Sequence, residues 1–222
     1  MGRLSFVSIL CSGASLAVLA IACDQPGKAS SSGRSEQVVS SSSASPIASP
    51  TPSPSHAAAP APPRGPLCDK GERALSKVAP VFVNEQGERT NGARVPLEDK
   101  HLLWVNFFAA WCGPCKEEIP RIKRFEKQLQ QDGVPIQVAF VSIDDDIRQL
   151  TGFYAQQPAG GVKSSYWLPD GAMRTGWLAS LKMKSDPELP EHAIVDGKGR
   201  SRCFIQGALE DRDYAQLLAS LR

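Results

Sequence analysis

Apolar and polar residues follow two different periods between residues 67 and 222. Short apolar runs of strand character are separated by stretches in which apolar residues recur every three to four positions, as in an amphipathic helix. The runs predict strands over residues 81–83, 101–108, 136–143, 193–195 and 201–205, and the stretches predict helices over residues 114–131, 147–156, 172–181 and 212–221. Strands that alternate with helices in this way indicate an α/β protein.

Two of the predicted strands contain a continuously apolar run of four residues. Leu102-Leu103-Trp104-Val105 and Val138-Ala139-Phe140-Val141 have no polar position, which predicts central strands covered on both faces. The turn Asp196-Gly197-Lys198-Gly199 separates the last two strands and predicts a β-hairpin that closes one sheet edge.

The first 22 residues have the order of an export signal. Arg3 precedes an apolar stretch over residues 4–19, and small residues follow up to Cys23. Ala20 and Ala22 before Cys23 resemble a bacterial lipobox, in which diacylglycerol is attached to the cysteine thiol once the preceding bond is cut. We therefore expect a signal peptide over residues 1–22 and lipidation of Cys23. Plain secretion and an uncleaved anchor are the alternatives, and all three place the remaining chain outside the cytoplasm.

Residues 23–66 are expected to form a disordered tether. Of the 43 residues from Asp24 to Pro66, 12 are Ser, 9 are Pro and 7 are Ala, which leaves too few apolar side chains for a core. A glycosylated or binding stalk is the alternative interpretation. The folded domain is then expected over residues 67–222, held away from the membrane surface by the tether.

Charge excludes one class of function. Residues 67–222 contain 21 Lys and Arg and 21 Asp and Glu, and the whole chain has a formal net charge of +2 without a basic run. We therefore expect no nucleic-acid partner.

The candidate chemistry is a pair of thiols where the first central strand passes into a helix. In Trp111-Cys112-Gly113-Pro114-Cys115 the spacing permits reversible disulfide closure. Cys112 falls at the predicted helix N-terminus, where free N–H groups favour a thiolate, so Cys112 is the expected nucleophile and Cys115 the resolving thiol. Zinc needs a second ligand pair, and haem attachment needs a histidine at position 116, which is Lys116. No metal or cofactor is expected.

The stretch Val105-Asn106-Phe107-Phe108-Ala109-Ala110-Trp111-Cys112-Gly113-Pro114-Cys115 resembles the active-site strand and turn of thioredoxin-fold thiol-disulfide oxidoreductases, specifically the membrane-anchored TlpA-like and ResA-like branch. The resemblance covers residues 76–222. It implies a thioredoxin fold, with a central mixed sheet flanked by helices. Ala79-Pro80-Val81-Phe82 resembles the N-terminal β-hairpin extension of that branch.

The same resemblance assigns roles to further residues. Glu118 matches the acidic residue near the dithiol and is the candidate for proton transfer to or from Cys115, and its alternative is a solvated carboxylate paired with Arg121. Asn106 replaces the buried aspartate of thioredoxins. Trp111 is expected to shield the dithiol and to line the docking surface for substrate.

The resemblance also places a proline opposite the dithiol. Leu189-Pro190-Glu191-His192 matches the segment that carries the family's cis-proline, so Pro190 is expected to be cis and, with Leu189, to dock the substrate backbone. His192 stands where Thr is common. The Pro-Glu pair resembles cytochrome c maturation reductases.

The function implied is a membrane-tethered oxidoreductase that reduces disulfides of extracytoplasmic proteins and is recharged by a membrane electron donor. A dithiol oxidant of the same fold and a cytochrome c maturation reductase are the alternatives, and a copper chaperone is a distant third because its C-x-x-x-C spacing is missing. The expected location is the bacterial cell envelope, through a lipid anchor, facing the periplasm or the exterior.

Cys68 and Cys203 remain outside the active-site motif. Two further cysteines in an oxidising compartment favour a structural disulfide, which would pin the N-terminal hairpin's approach to the sheet. Two buried, unpaired cysteines are the alternative.

Overall fold

The computed structural model describes residues 65–222. Residues 65–222 form seven strands and four α-helices, with a short 3₁₀ turn at Asp211–Asp213. In chain order they are β1 (Val81–Val83), β2 (Arg89–Thr90), β3 (Leu102–Phe108), α1 (Gly113–Gln131), β4 (Ile136–Ser142), α2 (Ile147–Gln156), β5 (Ser165–Trp167), α3 (Ala172–Ser180), β6 (Glu191–Val195), β7 (Ser201–Gln206) and α4 (Tyr214–Leu221).

The strands form one mixed sheet in the order β2-β1-β5-β4-β3-β6-β7. Strands β3, β4 and β5 are parallel, while β6 pairs antiparallel with β3 and with β7, and β1 pairs antiparallel with β5 and with β2. A mixed sheet flanked by helices, with an added β1–β2 hairpin at one edge, is a thioredoxin-like fold.

Strand β3 is central because its side chains find apolar cover on both faces. Val105 and Phe107 belong to one buried cluster, and Trp104 belongs to a second one that includes Ile122 and Phe125 of α1. This agrees with the continuous apolar run. In β4, by contrast, Val138 and Phe140 are only half-buried.

The pattern of apolar and polar positions did not predict two of the strands. Strand β2 is fully exposed at the sheet edge, and β5 has only three residues, so neither shows enough alternation of apolar and polar positions to be recognised. The other predicted elements are confirmed, with ends that differ by up to two residues.

The N-terminal part of the domain runs from one sheet edge toward the other. Asp69 pairs with Phe204 beside β7, Ala74 N–H donates to Ser180 at the end of α3, and the chain then enters β1. A disulfide joins Cys68 to Cys203, and the two cysteines are 135 positions apart in the chain. It therefore holds the chain at the β7 edge, opposite the hairpin. The expectation that it pins the hairpin's approach was wrong, because β1 joins the sheet through β5.

The expected signal peptide (1–22), Cys23 and almost all of the expected tether (23–66) lie outside the described residues. Within residues 65–222, no helix has both the length and the apolar character needed to cross a membrane.

Candidate active site at the start of helix α1

The dithiol motif lies at the carboxyl end of β3. Cys112 is the N-cap of α1, with extended backbone angles, and its Sγ accepts a hydrogen bond from Cys115 N–H at 3.2 Å. Pro114 occupies the first helical turn, where no N–H is needed. A disulfide links Cys112 and Cys115, with an Sγ–Sγ distance of 1.97 Å. The nucleophile position therefore faces the free amides of the helix end.

The residues around the dithiol differ sharply in exposure. Cys115 is fully buried and Cys112 is 4% exposed, whereas Trp111 next to Cys112 is 60% exposed. A disulfide partner approaching from solvent therefore meets Trp111 and Cys112 first, and Cys115 is reached only from within the protein.

Asp144 supports the turn that carries the motif, a role the sequence did not indicate. Its carboxylate accepts Ala110 N–H at 2.9 and 3.1 Å from its two oxygens and also accepts the Ser142 hydroxyl at 2.8 Å. Burial raises the pKa of Asp144 above its ordinary value. The only signal in the sequence was its position directly after the predicted strand over residues 136–143. Asp145 and Asp146 follow it, so the sequence alone did not distinguish Asp144 from them.

Pro190 lies at the same end of the sheet as the dithiol. The Leu189–Pro190 peptide bond is cis, and β6 starts at the next residue. Because β6 runs antiparallel to β3, with Glu191 opposite Phe107, the start of β6 adjoins the end of β3. Leu189 is half-buried against the core. Burial raises the pKa of Glu191.

Glu118 is buried inside the protein and does not face solvent. Its Oε1 accepts from Asn106 Nδ2 at 3.0 Å, and its Oε2 accepts from Leu209 N–H at 3.0 Å. The alternative of a solvated carboxylate paired with Arg121 was wrong, because Glu118 has no exposed surface and Arg121 pairs with Asp211 at 3.1 Å. Cys115 and Glu118 are three residues apart on α1, so their side chains share one helix face.

His192 is a further buried neighbour that was not assigned to the site from the sequence. Its Nδ1 lies 3.2 Å from Trp104 Nε1 and 3.2 Å from Asn106 Nδ2, and its Nε2 lies 3.5 Å from Glu118 Oε2. The one signal in the sequence was that residue 192 is His, whereas the family that the sequence resembles commonly has Thr at this position.

No group of three or more His, Cys, Asp or Glu side chains gathers as a metal site within residues 65–222. The arrangement that remains is a dithiol at a helix N-terminus, with a carboxylate buried behind it. Such an arrangement can carry out thiol-disulfide exchange.

Comparisons with known proteins agree with this geometry. The thioredoxin family model matches residues 90–154. The thiol:disulfide interchange protein HelX of Rhodobacter capsulatus is 31% identical over 125 residues, which are 54% of this chain and 63% of that protein. The thiol-disulfide oxidoreductase ResA of Bacillus subtilis is 40% identical over 60 residues, which are 26% of this chain and 32% of that protein.

A solved structure from Chlorobium tepidum, a thiol:disulfide interchange protein of the thioredoxin family, is 19% identical with a TM-score of 0.46. It aligns over 67% of this chain and 97% of its own length. The chain spans 63% of the length of the HelX protein and 32% of the length of the ResA protein. The family match and these relatives make the chain similar to the thioredoxin-fold thiol-disulfide oxidoreductases, and the relatives named above are of the HelX and ResA type.

Proposed function

We propose that this protein is an extracytoplasmic thiol-disulfide oxidoreductase that reduces protein disulfides through Cys112 and Cys115. The observation that carries the proposal is the pairing of Cys112, at the α1 N-cap beneath the Cys115 amide, with a buried second thiol three residues on. The helix N-terminus stabilises a thiolate on Cys112. Because Cys112 is 4% exposed and Cys115 is fully buried, an external disulfide reaches Cys112 first.

The proposed reaction has two exchange steps. Reduced Cys112 attacks a substrate disulfide, forms a mixed disulfide and releases one substrate thiolate. Cys115 then loses its proton and attacks Cys112 Sγ, which releases the second substrate thiolate and closes the Cys112–Cys115 disulfide. Two electrons pass to the substrate in each turnover, so an electron donor must reduce the protein again.

Three neighbours are given supporting roles in this proposal. Glu118 takes the proton from Cys115, Pro190 and Leu189 offer their backbone to the bound substrate, and Trp111 forms the exposed side of the docking surface. Support comes from the buried position of Glu118, the shared sheet end of Pro190 and Cys112, and the 60% exposure of Trp111.

The proposed location is the bacterial cell envelope, with Cys23 lipidated and the tether carrying the domain. The substrates are extracytoplasmic proteins that contain disulfides, and the electron donor is a membrane protein. The support is the signal-like order of residues 1–22 and the composition of residues 24–66. Mass spectrometry of the mature N-terminus tests the anchor: a diacylated Cys23 supports it, and an unmodified Cys23 or a chain that still contains Arg3 contradicts it.

Substrate trapping tests the activity. Cys115→Ser is expected to accumulate a mixed disulfide with its substrates through Cys112, whereas Cys112→Ser in the same cells traps nothing. Cys112→Ser should also reduce insulin disulfides no faster than dithiothreitol alone. A Cys112→Ser variant that works as well as the parent would overturn the proposal.

The direction of electron flow is tested separately by the reduction potential. A reductase is expected to have a midpoint below about −200 mV against a glutathione buffer. A value near about −120 mV would instead identify a dithiol oxidant that introduces disulfides.

A further inference from the structure

Four polar side chains form a closed group beneath α1, which we call the Glu118 cluster: Trp104, Asn106, Glu118 and His192. All four are fully buried. Asn106 and His192 are direct partners in the antiparallel register of β3 and β6, and Trp104 lies two residues before Asn106 on the same face of β3. Helix α1 covers this face and places Glu118 over it.

Two donors fix the proton of the His192 ring. The Trp104 indole nitrogen can only donate, and it lies 3.2 Å from His192 Nδ1. Asn106 Nδ2 has two hydrogens, of which one is directed to Glu118 Oε1 and the other to the same Nδ1. Since Nδ1 must accept, the neutral ring carries its hydrogen on Nε2.

His192 Nε2 lies near the Glu118 carboxylate and makes no hydrogen bond in the oxidised structure. Nε2 lies 3.5 Å from Glu118 Oε2, and the same oxygen accepts Leu209 N–H at 3.0 Å. With Asn106 on Oε1, each of these neighbours of the carboxylate is an N–H donor. A second proton on His192 would have to occupy Nδ1, between two N–H groups. The His192 ring can therefore donate a hydrogen bond to Glu118 through Nε2. It has no free nitrogen that could accept a proton from Glu118.

We propose that His192 is a positioning residue for the second exchange step. In this role His192 Nε2–H orients the Glu118 carboxylate so that the carboxylate removes the Cys115 thiol proton. The proposal rests on the function proposed above. The proton passes from Cys115 Sγ to Glu118, the new Cys115 thiolate forms the bond to Cys112 Sγ, and the substrate sulfur leaves with the electron pair of the broken bond.

The length of the Nε2 contact fits this role. In the oxidised structure the Cys112–Cys115 disulfide is closed, so Cys115 has no proton to give. Hydrogen bonds of a catalytic group are commonly long outside the reactive complex and shorten within it. We expect the His192–Glu118 contact to become an ordinary hydrogen bond in the reduced protein.

A disulfide with coloured leaving groups allows the rates of the two exchange steps to be measured separately. Reduced full-length protein is mixed with a nitroaromatic disulfide: attack by Cys112 releases a first coloured thiolate, and attack by Cys115 releases the second. His192→Leu removes the donor and is expected to slow the second release about tenfold, with the first release changed less than about twofold. His192→Gln keeps a donor for Glu118 and an acceptor for Trp104, so it should restore most of the second rate.

Ile194→Ala is the matched control for a loss of packing. Ile194 lies two residues along β6 on the same face, is buried, and has no polar side-chain atom. The Ile194→Ala variant should have a lower melting temperature than the parent and should release the second coloured thiolate at the parent's rate. If Ile194→Ala slows that release as much as His192→Leu does, or if His192→Leu is as fast as the parent, the role of His192 is excluded.

Nitrogen NMR of the His192 ring gives a readout that does not depend on activity. The expected signal at about pH 7.5 is the neutral Nε2–H form. A ring that carries its hydrogen on Nδ1 would overturn the inference. Failure of the proposed function is recognised differently, because the parent protein itself would then fail to reduce insulin disulfides.

Discussion

At the scale of single residues, the active-site turn depends on a carboxylate from the loop that follows another strand. Asp144 follows β4, yet it accepts the N–H of Ala110, two residues before Cys112. The two residues are 34 positions apart in the chain. Asp144 therefore connects the position of the nucleophile to the packing of β4 against β3.

Replacement of Asp144 by Ala is expected to destabilise the oxidised protein by about 1–3 kcal/mol, because the Ala110 N–H and the Ser142 hydroxyl lose a buried acceptor. Urea denaturation measures the change. Asp145→Ala is the matched control: Asp145 is 75% exposed in its pair with Arg174, and such surface pairs contribute about 0–1 kcal/mol. Equal losses for the two variants would contradict the role given to Asp144.

At the scale of elements, strand β6 starts with a buried carboxyl beside the cis-proline. Glu191 lies opposite Phe107 of β3 and Gln206 of β7, so the strand is covered on both sides where it begins. Burial raises the pKa of Glu191 above its ordinary value of 4.5. The folded protein therefore holds this proton more tightly than the unfolded chain does.

The sign of the resulting pH dependence follows from that shift. The stability contributed by the Glu191 proton is fully present below about pH 4.5 and is lost as the pH rises through the folded-state pKa. In chemical denaturation at a series of pH values, the parent should lose free energy of unfolding relative to Glu191→Gln as the pH is raised. Asp144 titrates in both proteins, so its contribution cancels in the difference.

Glu117→Gln is the control for this experiment, since Glu117 is exposed on α1. It measures the effect of losing one exposed carboxylate, with which the change caused by Glu191→Gln is compared. A parent that instead gains stability over Glu191→Gln with rising pH would show that the Glu191 pKa is lowered in the folded protein.

At the scale of the whole molecule, the two disulfides lie in different surroundings. The Cys112–Cys115 bond spans three positions at the end of the sheet, while the Cys68–Cys203 bond spans 135 positions and closes the domain at the β7 edge. Further contacts hold the segment after Cys68: the Arg73 guanidinium lies 4.4 Å from the centre of the Phe204 ring, and Trp177 Nε1–H donates to Val78 at 2.8 Å. The N-terminal segment is thereby part of the fold.

The double variant Cys68→Ser/Cys203→Ser is expected to lose about 2–5 kcal/mol of unfolding free energy, because a long loop is freed in the unfolded chain. Replacing both residues avoids a free thiol that could exchange with Cys112. The double variant Cys112→Ser/Cys115→Ser frees a much shorter loop and should lose less. Insulin reduction by the first variant should persist at temperatures where it is folded. A smaller loss for the long loop than for the short one would contradict the structural role of Cys68–Cys203.

Local pattern was enough to predict most of the elements and the dithiol. Helix α2 has the predicted ends, and Cys112 falls at the start of α1, because amphipathic periods and a strand-to-helix transition are properties of neighbouring residues. The resemblance added Pro190 and Glu118. The short strands β2 and β5 were missed, since their existence depends on the pairing of β1 with both of them and not on their own composition.

The sequence by itself therefore determined where the reactive thiols lie and which elements carry them. Only the tertiary structure decided what surrounds them: Asn106 and His192 meet across 86 positions, and Leu209 N–H reaches Glu118 across 91. The physical reason is that a buried hydrogen bond depends on strand register and on how a helix packs over the sheet. Those relations join residues that are far apart in the chain, and the periodicity of any single segment does not encode them.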